Sequence, residues 1–450
     1  MLLLCIQGWG CVCAQQDLGV RNSNYAGVQG ALLNPSAIAD SKLTWDVNVL
    51  SVNTLFANNF LYAPKSAVPL FGFRRIIKGA IDEDLFDTHF DPQNPNKQYN
   101  VTLSTEVLGP SFFMTVAKKH EIGLTIAARG YANVQNITGN LAENAFDYFL
   151  NKSLWNQNFQ DNSVKVNFMG WMEYGLHYAT VLYAKGRDEL KGGISLNYLQ
   201  GYAAAYAKNA RINYTIQDTT GMVFTNTNLD YGRTDYGDYA PHGHGVGADI
   251  GFTYVHLKDP SAKDYLYRIG ISLLDLGSIN FKRNASAYHL QTGEGTFSDW
   301  HEAKFANNAQ VDRTLSAVFY NGDSSASLAG NHFRMGLPAA LSLQGDWNVY
   351  RNFFANVTVI KGFGHADGQG VVRPDVYSLT PRYETKWGEV SLPASLLYYG
   401  HWQPRLGLAM RLGFFFIGGD EIGPLLKLHD LQGVDFYAGV HFFLTKKQTI

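Results

Sequence analysis

From Leu43 onward the chain alternates apolar residues with small or polar ones at period two, and the runs end at turn-forming residues. This is the signal of half-buried β-strands. In the octet Met172-Glu-Tyr-Gly-Leu-His-Tyr-Ala, one face carries Met172, Tyr174, Leu176 and Tyr178, and the other carries Glu173, Gly175, His177 and Ala179. Residues 405–413 set Leu406, Leu408, Met410 and Leu412 against Arg405, Gly407, Ala409, Arg411 and Gly413. Residues 265–274 set Tyr265, Tyr267, Ile269, Ile271 and Leu273 against Arg268, Gly270 and Ser272.

A soluble sandwich also alternates, so the chemistry of the two faces has to decide. A sandwich would turn many Lys, Glu and Thr outward; here the polar face is small, Gly-rich and sparsely charged, and the apolar face ends in aromatic residues. Those are the lumen-facing and lipid-facing sides of a membrane barrel, with aromatics suited to the two interfaces. About sixteen alternating segments can be traced, and bacterial single-chain barrels use an even number of strands, so the expected wall has about 14, with 12 and 16 as neighbours. The expected fold is an all-β, transmembrane antiparallel β-barrel.

The connections support it. Short charged turns fall at residues 118–121 and 185–191, and long polar connections are expected around 63–98, 136–163, 217–244 and 284–332. Short turns on one side and long loops on the other characterise outer-membrane barrels. Leu141, Ala145, Tyr148 and Phe149, and again Val311, Leu315, Val318 and Phe319, fall at i, i+4, i+7, i+8 and predict two short amphipathic helices packed on or in the barrel.

Composition narrows the class further. The chain has 46% hydrophobic and 14% aromatic residues but only 16% charged, against roughly 25% in soluble domains. Such content excludes a disordered chain, and past residue 20 no apolar run approaches the roughly 20 residues of a membrane helix. Lys and Arg number 36 against 38 Asp and Glu, with no basic run, which speaks against a nucleic-acid partner.

Residues 1–14 read as a signal peptide, with Val12 and Ala14 as the small residues at −3 and −1. No Lys or Arg precedes the apolar stretch, which leaves open a start codon upstream of Met1. Cys5, Cys11 and Cys13 all lie in this segment, so the mature chain is expected to hold no disulfide. Gly10-Cys11 hints at a lipoprotein signal, but Gly8 and Trp9 do not fit one. Residues 15–42 differ from the alternating remainder of the chain: Asn34 can cap a short helix with Pro35 in its first position, running to Asp40. This is either a capped turn before the first strand or, in the sharper reading, an N-terminal plug that enters the barrel. The expected organisation is thus signal peptide 1–14, plug segment 15–42 and barrel 43–450.

Candidate chemistry is sparse. Residues 243–251 are Gly-rich, but a dinucleotide loop must leave a strand and open a helix, whereas this stretch feeds an alternating run. Glycines packed against the wall or a plug explain it better. His242 and His244 beside Asp235 and Asp238 are loosely spaced for a metal and are explained equally well as a solvated loop. No Gly-x-Ser-x-Gly elbow appears, so neither enzyme activity, a metal nor a cofactor is expected. The informative charges are Arg129, Glu173, His177, Arg268, Arg405 and Arg411, which take the polar phase of their strands. A charge facing lipid near the midplane costs about 2–4 kcal/mol, so these six should point into the lumen. There they would either pair and fasten the plug or line a path for a ligand.

Five motifs carry a family resemblance: Asn34-Pro-Ser-Ala-Ile-Ala-Asp40 with Trp45-Asp-Val-Asn-Val49, residues 245–254, residues 268–279, Leu337-Pro-Ala-Ala-Leu-Ser-Leu343, and residues 411–420. In their order and spacing the chain resembles the FadL/PorV-like outer-membrane barrels, and more closely a Bacteroidota branch of them. The resemblance implies a 14-stranded barrel with an N-terminal plug in the bacterial outer membrane. FadL-like members carry small hydrophobic molecules, and PorV-like members are partners of secretion machinery. The chain departs from the pattern at Ser36, where an Asn-Pro-Ala signature would have Ala, and in its long loops, so ligand residues do not transfer. Two tasks are expected from it: a channel for small hydrophobic molecules, or a non-transporting barrel serving other outer-membrane or periplasmic subunits. The sequons at Asn136 and Asn213 are the sole pointers to a third, a soluble secreted glycoprotein.

Overall fold

The structure, a computed structural model, describes residues 17–68, 86–91, 93–94, 96–117, 119–146, 151–218, 221–235, 239–260, 264–292, 295–298 and 307–446. Residues 1–14, including the three cysteines, lie outside them, as do Tyr148, Phe149 and Asp238.

The alternating segments build one closed antiparallel wall of 14 strands. β1 is Leu43–Asn58, β2 is Gln98–Leu108 continued by Ser111–Ala117, β3 is His120–Thr138, β4 is Lys165–Lys185 and β5 is Asp188–Ile216. β6 is Gly221–Thr234 continued by Gly243–Leu257, and β7 is Tyr265–Phe281 continued by Ala285–Thr292 and Gly295–Ser298. β8 comprises Leu328–Gly330, Phe333–Gly336 and Ala340–Tyr350, β9 is Phe353–Gly362 and β10 is Asp375–Glu384. β11 comprises Gly388–Ser391 and Ala394–Tyr398, and β12 comprises Trp402–Leu406 and Leu408–Leu412. β13 is Phe415–Gly419 and β14 is Gly433–Thr445. Each strand pairs with the next, and β14 closes on β1 from Leu43↔Thr445 to Ala57↔Gly433. Closure pairs each wall strand on both sides, which is what lets a sheet's backbone cross lipid without water. Among the described residues no helix is long and apolar enough to cross a membrane.

The wall is inside-out relative to a soluble protein. Outward Leu176 and Leu196 are 55% and 56% exposed, and Tyr174, Ile271, Leu379 and Ile417 share that face, while Glu173 and Arg411 keep 4% and 2%. An apolar belt on a closed barrel is stable only in lipid.

Short turns join the strands at the end that holds both β1's start and β14's finish; residues 59–97, 139–164, 363–374 and 420–432 connect them at the far end. Two of the long connections expected from sequence are shorter. Residues 221–234, 285–292 and 295–298 are strand, because β5, β6 and β7 run past the belt and pair with one another there. Helix Asn308–Phe319 packs on this extension through Phe319 beside Tyr231 and Leu290. Phe319, Leu315 and Val318 of the predicted stripe pack there, and Asp312 and Ser316 are buried beside them, Asp312 being drawn in by Arg233 and by Tyr231 Oη at 3.2 Å. The other helix is Gly139–Phe146.

Tyr265 also departs from expectation. A bulge between His256↔Tyr267 and Leu257↔Tyr265 flips the phase, so Leu266 turns outward and Tyr265 inward, donating to Asp346 at 2.7 Å. The belt makes a direct prediction: Leu176→Arg, in its middle, should lower stability by about 2–4 kcal/mol in urea unfolding from lipid vesicles.

Candidate functional site

The barrel interior is occupied by the N-terminal segment, and its polar groups reach β1, β2 and β5 to β11. Val28 N–H donates to Asp46 of β1 at 2.9 Å and Arg21 to Glu106 of β2 at 2.5 Å. Asp40 accepts from Lys191 of β5 at 2.6 Å and from Arg268 of β7 at 2.7 Å. Asn34 donates to Gln344 of β8 at 3.0 Å, Asn24 to Glu384 of β10 at 2.7 Å, and Ser23 to Glu389 of β11 at 2.6 Å. Partners on all sides mean that the segment is enclosed by the wall. Gly27 permits the closest approach: its φ is +63°, and a Cβ there would collide with the Asp46 carboxylate.

The turn at Asn34 and Pro35 shows how wall and segment are matched. Asn34 Oδ1 accepts from Ser36 N–H at 3.0 Å and from its hydroxyl at 2.7 Å, so it holds an Asx turn. The helix starts later than the sequence suggests, at Ala37–Asp40. Room for the turn comes from Gly251 of β6, where a Cβ would strike Asn34, and from Gly193 of β5, where it would strike Pro35. The Gly-rich stretch 243–251 thus has a packing role at its last glycine.

The six luminal candidates divide into four neighbourhoods of ion pairs and one histidine. Arg129 donates to Glu173 at 2.9 Å and to both oxygens of Asp275 at 2.6 and 2.9 Å, beneath the rings of Tyr131 and Trp171. Arg268, half-buried, bridges Asp40 to Asp346, which Arg382 also holds at 2.8 Å. Arg405 sits between Glu421 at 3.3 Å and Asp435 at 3.2 Å, and Arg411 faces Glu389 at 3.4 Å under the ring of Tyr25. His177 stands apart from these ion pairs; Thr125 and Ser195 hydroxyls lie 2.8 and 2.7 Å from its two nitrogens. The other histidine pair is not brought together: His242 is buried, while His244 turns outward to Tyr198.

Sequence reasoning missed Glu106, Lys191, Asp346, Arg373, Arg382, Glu389 and above all Asp275. In strict alternation with Ile269, Ile271 and Leu273, Asp275 would face lipid. A bulge opposite Asp249 reverses the phase: Asp275 takes φ +53°, its N–H donates to Asp249 at 2.6 Å, and its carboxylate turns inward. The clue was present, since an Asp in the lipid phase two residues before Gly277 is tolerable only if the strand breaks step there.

At the far end the inward faces of β3, β4, β5, β7 and β8 become apolar. Trp171, Leu199, Phe281, Phe333 and Met335 form one cluster, and Val371, from the connection 363–374, is wholly buried in it. That connection folds into the barrel: Asn133 exchanges hydrogen bonds with Val372, and Arg373 donates to Asp275. Between the N-terminal segment and the wall lies a polar cavity of about 50 Å³ beside Arg21, Asn34, Asp40, Arg268 and Asp346, room for a few waters at most.

A family model described as a family of unknown function (DUF5723) matches residues 35–420. The chain belongs to that family. The match takes in Pro35, Asp40 and all six luminal candidates, so this DUF5723 chain carries the end of the segment and most of the wall as one unit. No curated protein matches it by sequence. In three dimensions it is similar to the toluene transporter TodX of P. putida, at 9% identity over 94% of this chain and 95% of that one, with a TM-score of 0.44. The toluene transporter TbuX of Ralstonia pickettii gives 9%, 98%, 99% and 0.42, and a FadL homologue of Pseudomonas aeruginosa gives 8%, 97%, 99% and 0.25. Likeness at this level concerns the fold plan and assigns neither cargo nor mechanism.

Two outcomes are expected. Arg129→Ala would leave Asp275 and Glu173 buried without their shared cation and should cost about 3–5 kcal/mol in urea unfolding. Asp17, where the described segment begins, has its carboxyl pushed up to about 6 by burial, against the pull of Arg21. Asp40 behaves oppositely: burial raises it, but Lys191 and Arg268 prevail and hold it low. An acid whose pKa is higher folded than unfolded binds a proton on folding. Attachment of residues 17–24 should therefore strengthen as pH falls through about 6, the gain being complete near the ordinary aspartate value of about 4. Amide exchange should slow between pH 7 and 5 after correction for intrinsic rates, and Asp17→Asn should weaken that dependence.

Proposed function

We propose that this chain is an outer-membrane transporter of FadL-like plan, exported by a signal peptide, in which residues 15–42 are a plug and the lumen is closed at rest. The observation that carries the reading is the chemistry of the contact between plug and wall. A permanent core gains little from buried ion pairs, which apolar packing can replace at no loss. Here the plug meets the wall through Arg21, Asn24, Asn34 and Asp40 on Glu106, Glu384, Gln344, Lys191 and Arg268. Both surfaces tolerate water when they part, as a removable stopper requires.

The cargo in this reading is a small hydrophobic molecule. Support comes from the aromatic and aliphatic cluster around Trp171, Phe281 and Met335, which Val371 now fills. Withdrawal of that side chain would expose a dry, apolar pocket of the kind that small ligands enter. The luminal charges then hold the plug and do no chemistry, and the role is not enzymatic.

A second reading, a PorV-like accessory subunit without transport, draws on the extension of β5–β7 capped by helix Asn308–Phe319, a projecting surface for outer-membrane or periplasmic partners. One experiment separates the two. A Cβ at Gly19 would stand 3.5 Å from Ser391 Cβ, within disulfide range once Ala409→Gly and Tyr437→Phe remove the Cβ and the hydroxyl that it would otherwise strike. Gly19→Cys with Ser391→Cys in that background gives a plug that can be locked by oxidation. Cells lacking other hydrocarbon channels should take up a labelled monoaromatic hydrocarbon when this protein is reduced and lose that uptake when it is oxidised. A folded barrel, checked by heat-modifiable gel mobility, with equal uptake in both states or none in either leaves the accessory role standing.

A further inference from the structure

The far-end connection and the N-terminal segment enter from opposite ends and meet on one row of alternating charges. Arg373 of the connection donates to Asp275 of β7. Asp275 also takes both terminal nitrogens of Arg129 of β3, at 2.6 and 2.9 Å. Arg129 Nε then points toward Glu106 of β2 across 3.7 Å, too far for a hydrogen bond, and its proton has no acceptor. Glu106 accepts from Arg21 at 2.5 Å, and Arg21 Nε stands 3.1 Å from Asp17. All six side chains are buried.

We propose that this row makes the two ends of the lumen mutually exclusive gates, so that release of either one tightens the other. Arg129 is the shared cation. With Arg373 in place, Asp275 has two guanidinium partners, and Arg129 is partly available to Glu106. If the connection withdraws and takes Arg373 with it, Asp275 retains Arg129 alone and draws it further from Glu106. Glu106 is left to Arg21, and the plug is gripped harder. Run from the other end, the logic is the same. When the plug leaves with Arg21, Glu106 closes the 3.7 Å gap to Arg129, Arg129 loosens from Asp275, and Asp275 holds Arg373 more tightly. Coupling between two sites is reciprocal by thermodynamic necessity, and the row satisfies that sign in both directions. Glu173 keeps Arg129 near the centre throughout, and Asp249 fixes Asp275 through its N–H. Charge pairs separated from water interact strongly enough for such alternation to be felt over several links. A barrel built this way admits cargo at one end while sealed at the other.

This inference rests on the gated-barrel reading, but it is tested without transport, by hydrogen exchange on the full chain in lipid. In Arg373→Gln, amides of residues 18–33 should exchange at least about fivefold more slowly, and in Arg21→Gln those of residues 363–374 should slow likewise. Arg373→Lys should restore the original rate. Val371→Ala, which loosens the connection without removing a charge, isolates the ion pairs when combined with Arg373→Gln: once Arg373 no longer reaches Asp275, adding Val371→Ala should slow residues 18–33 no further. Unchanged or faster exchange at the distant end in either Gln variant overturns the proposal, as does further slowing when Val371→Ala is added to Arg373→Gln. Each arm stands alone should the other variant fail to fold, and disulfide-gated uptake can succeed or fail independently of both.

Discussion

Everything about this molecule depends on which solvent its outer face meets. A closed wall of 14 strands with Leu, Ile and Tyr turned outward is stable in acyl chains, and the same environment forbids charge on that face. The wall's Arg, Asp and Glu residues at membrane depth are therefore driven inward together, into a tube too narrow to hydrate each separately. Pairing is then forced, and the ion-pair groups around Arg129, Arg268, Arg405 and Arg411 are its result.

The filling has the same origin. A tube lined with charged and amide side chains either stands full of water or takes up chain of matching polarity, and residues 17–40 match it strand by strand. The interior is not uniform, however. Near the far end the lining becomes aromatic and aliphatic and is covered by Val371. A polar part occupied by one segment and an apolar part occupied by another give the lumen two fillings of different chemistry, linked through the ion pairs of Asp275.

Much of this was legible beforehand, for physical reasons that can be named. Period-two alternation survives because each wall residue has one neighbour environment, lipid or lumen, so Met172–Ala179 could be assigned face by face. Where the strand breaks step, that reasoning fails: Tyr265 was placed on the wrong face, and Asp275 was not singled out at all. Bulges depend on partner strands, and a single strand carries only a faint trace of them, such as a misplaced Asp before a Gly. Loop lengths erred likewise at 217–244 and 284–332, because polar strands pairing above the membrane resemble loops in composition.

What the amino-acid order determined by itself is the class of object: a lipid-embedded barrel of about 14 strands with its arginines turned inward, because alternation and the cost of charge in hydrocarbon act locally on each strand. Only the tertiary structure decided who meets whom. That Arg21 finds Glu106, that Asp40 is shared by Lys191 and Arg268, and that a connection between β9 and β10 turns back to reach Asp275 are facts of closure and register. They arise from bringing residues far apart in the chain to one cross-section, where distance in three dimensions, and no longer spacing along the chain, sets the energy.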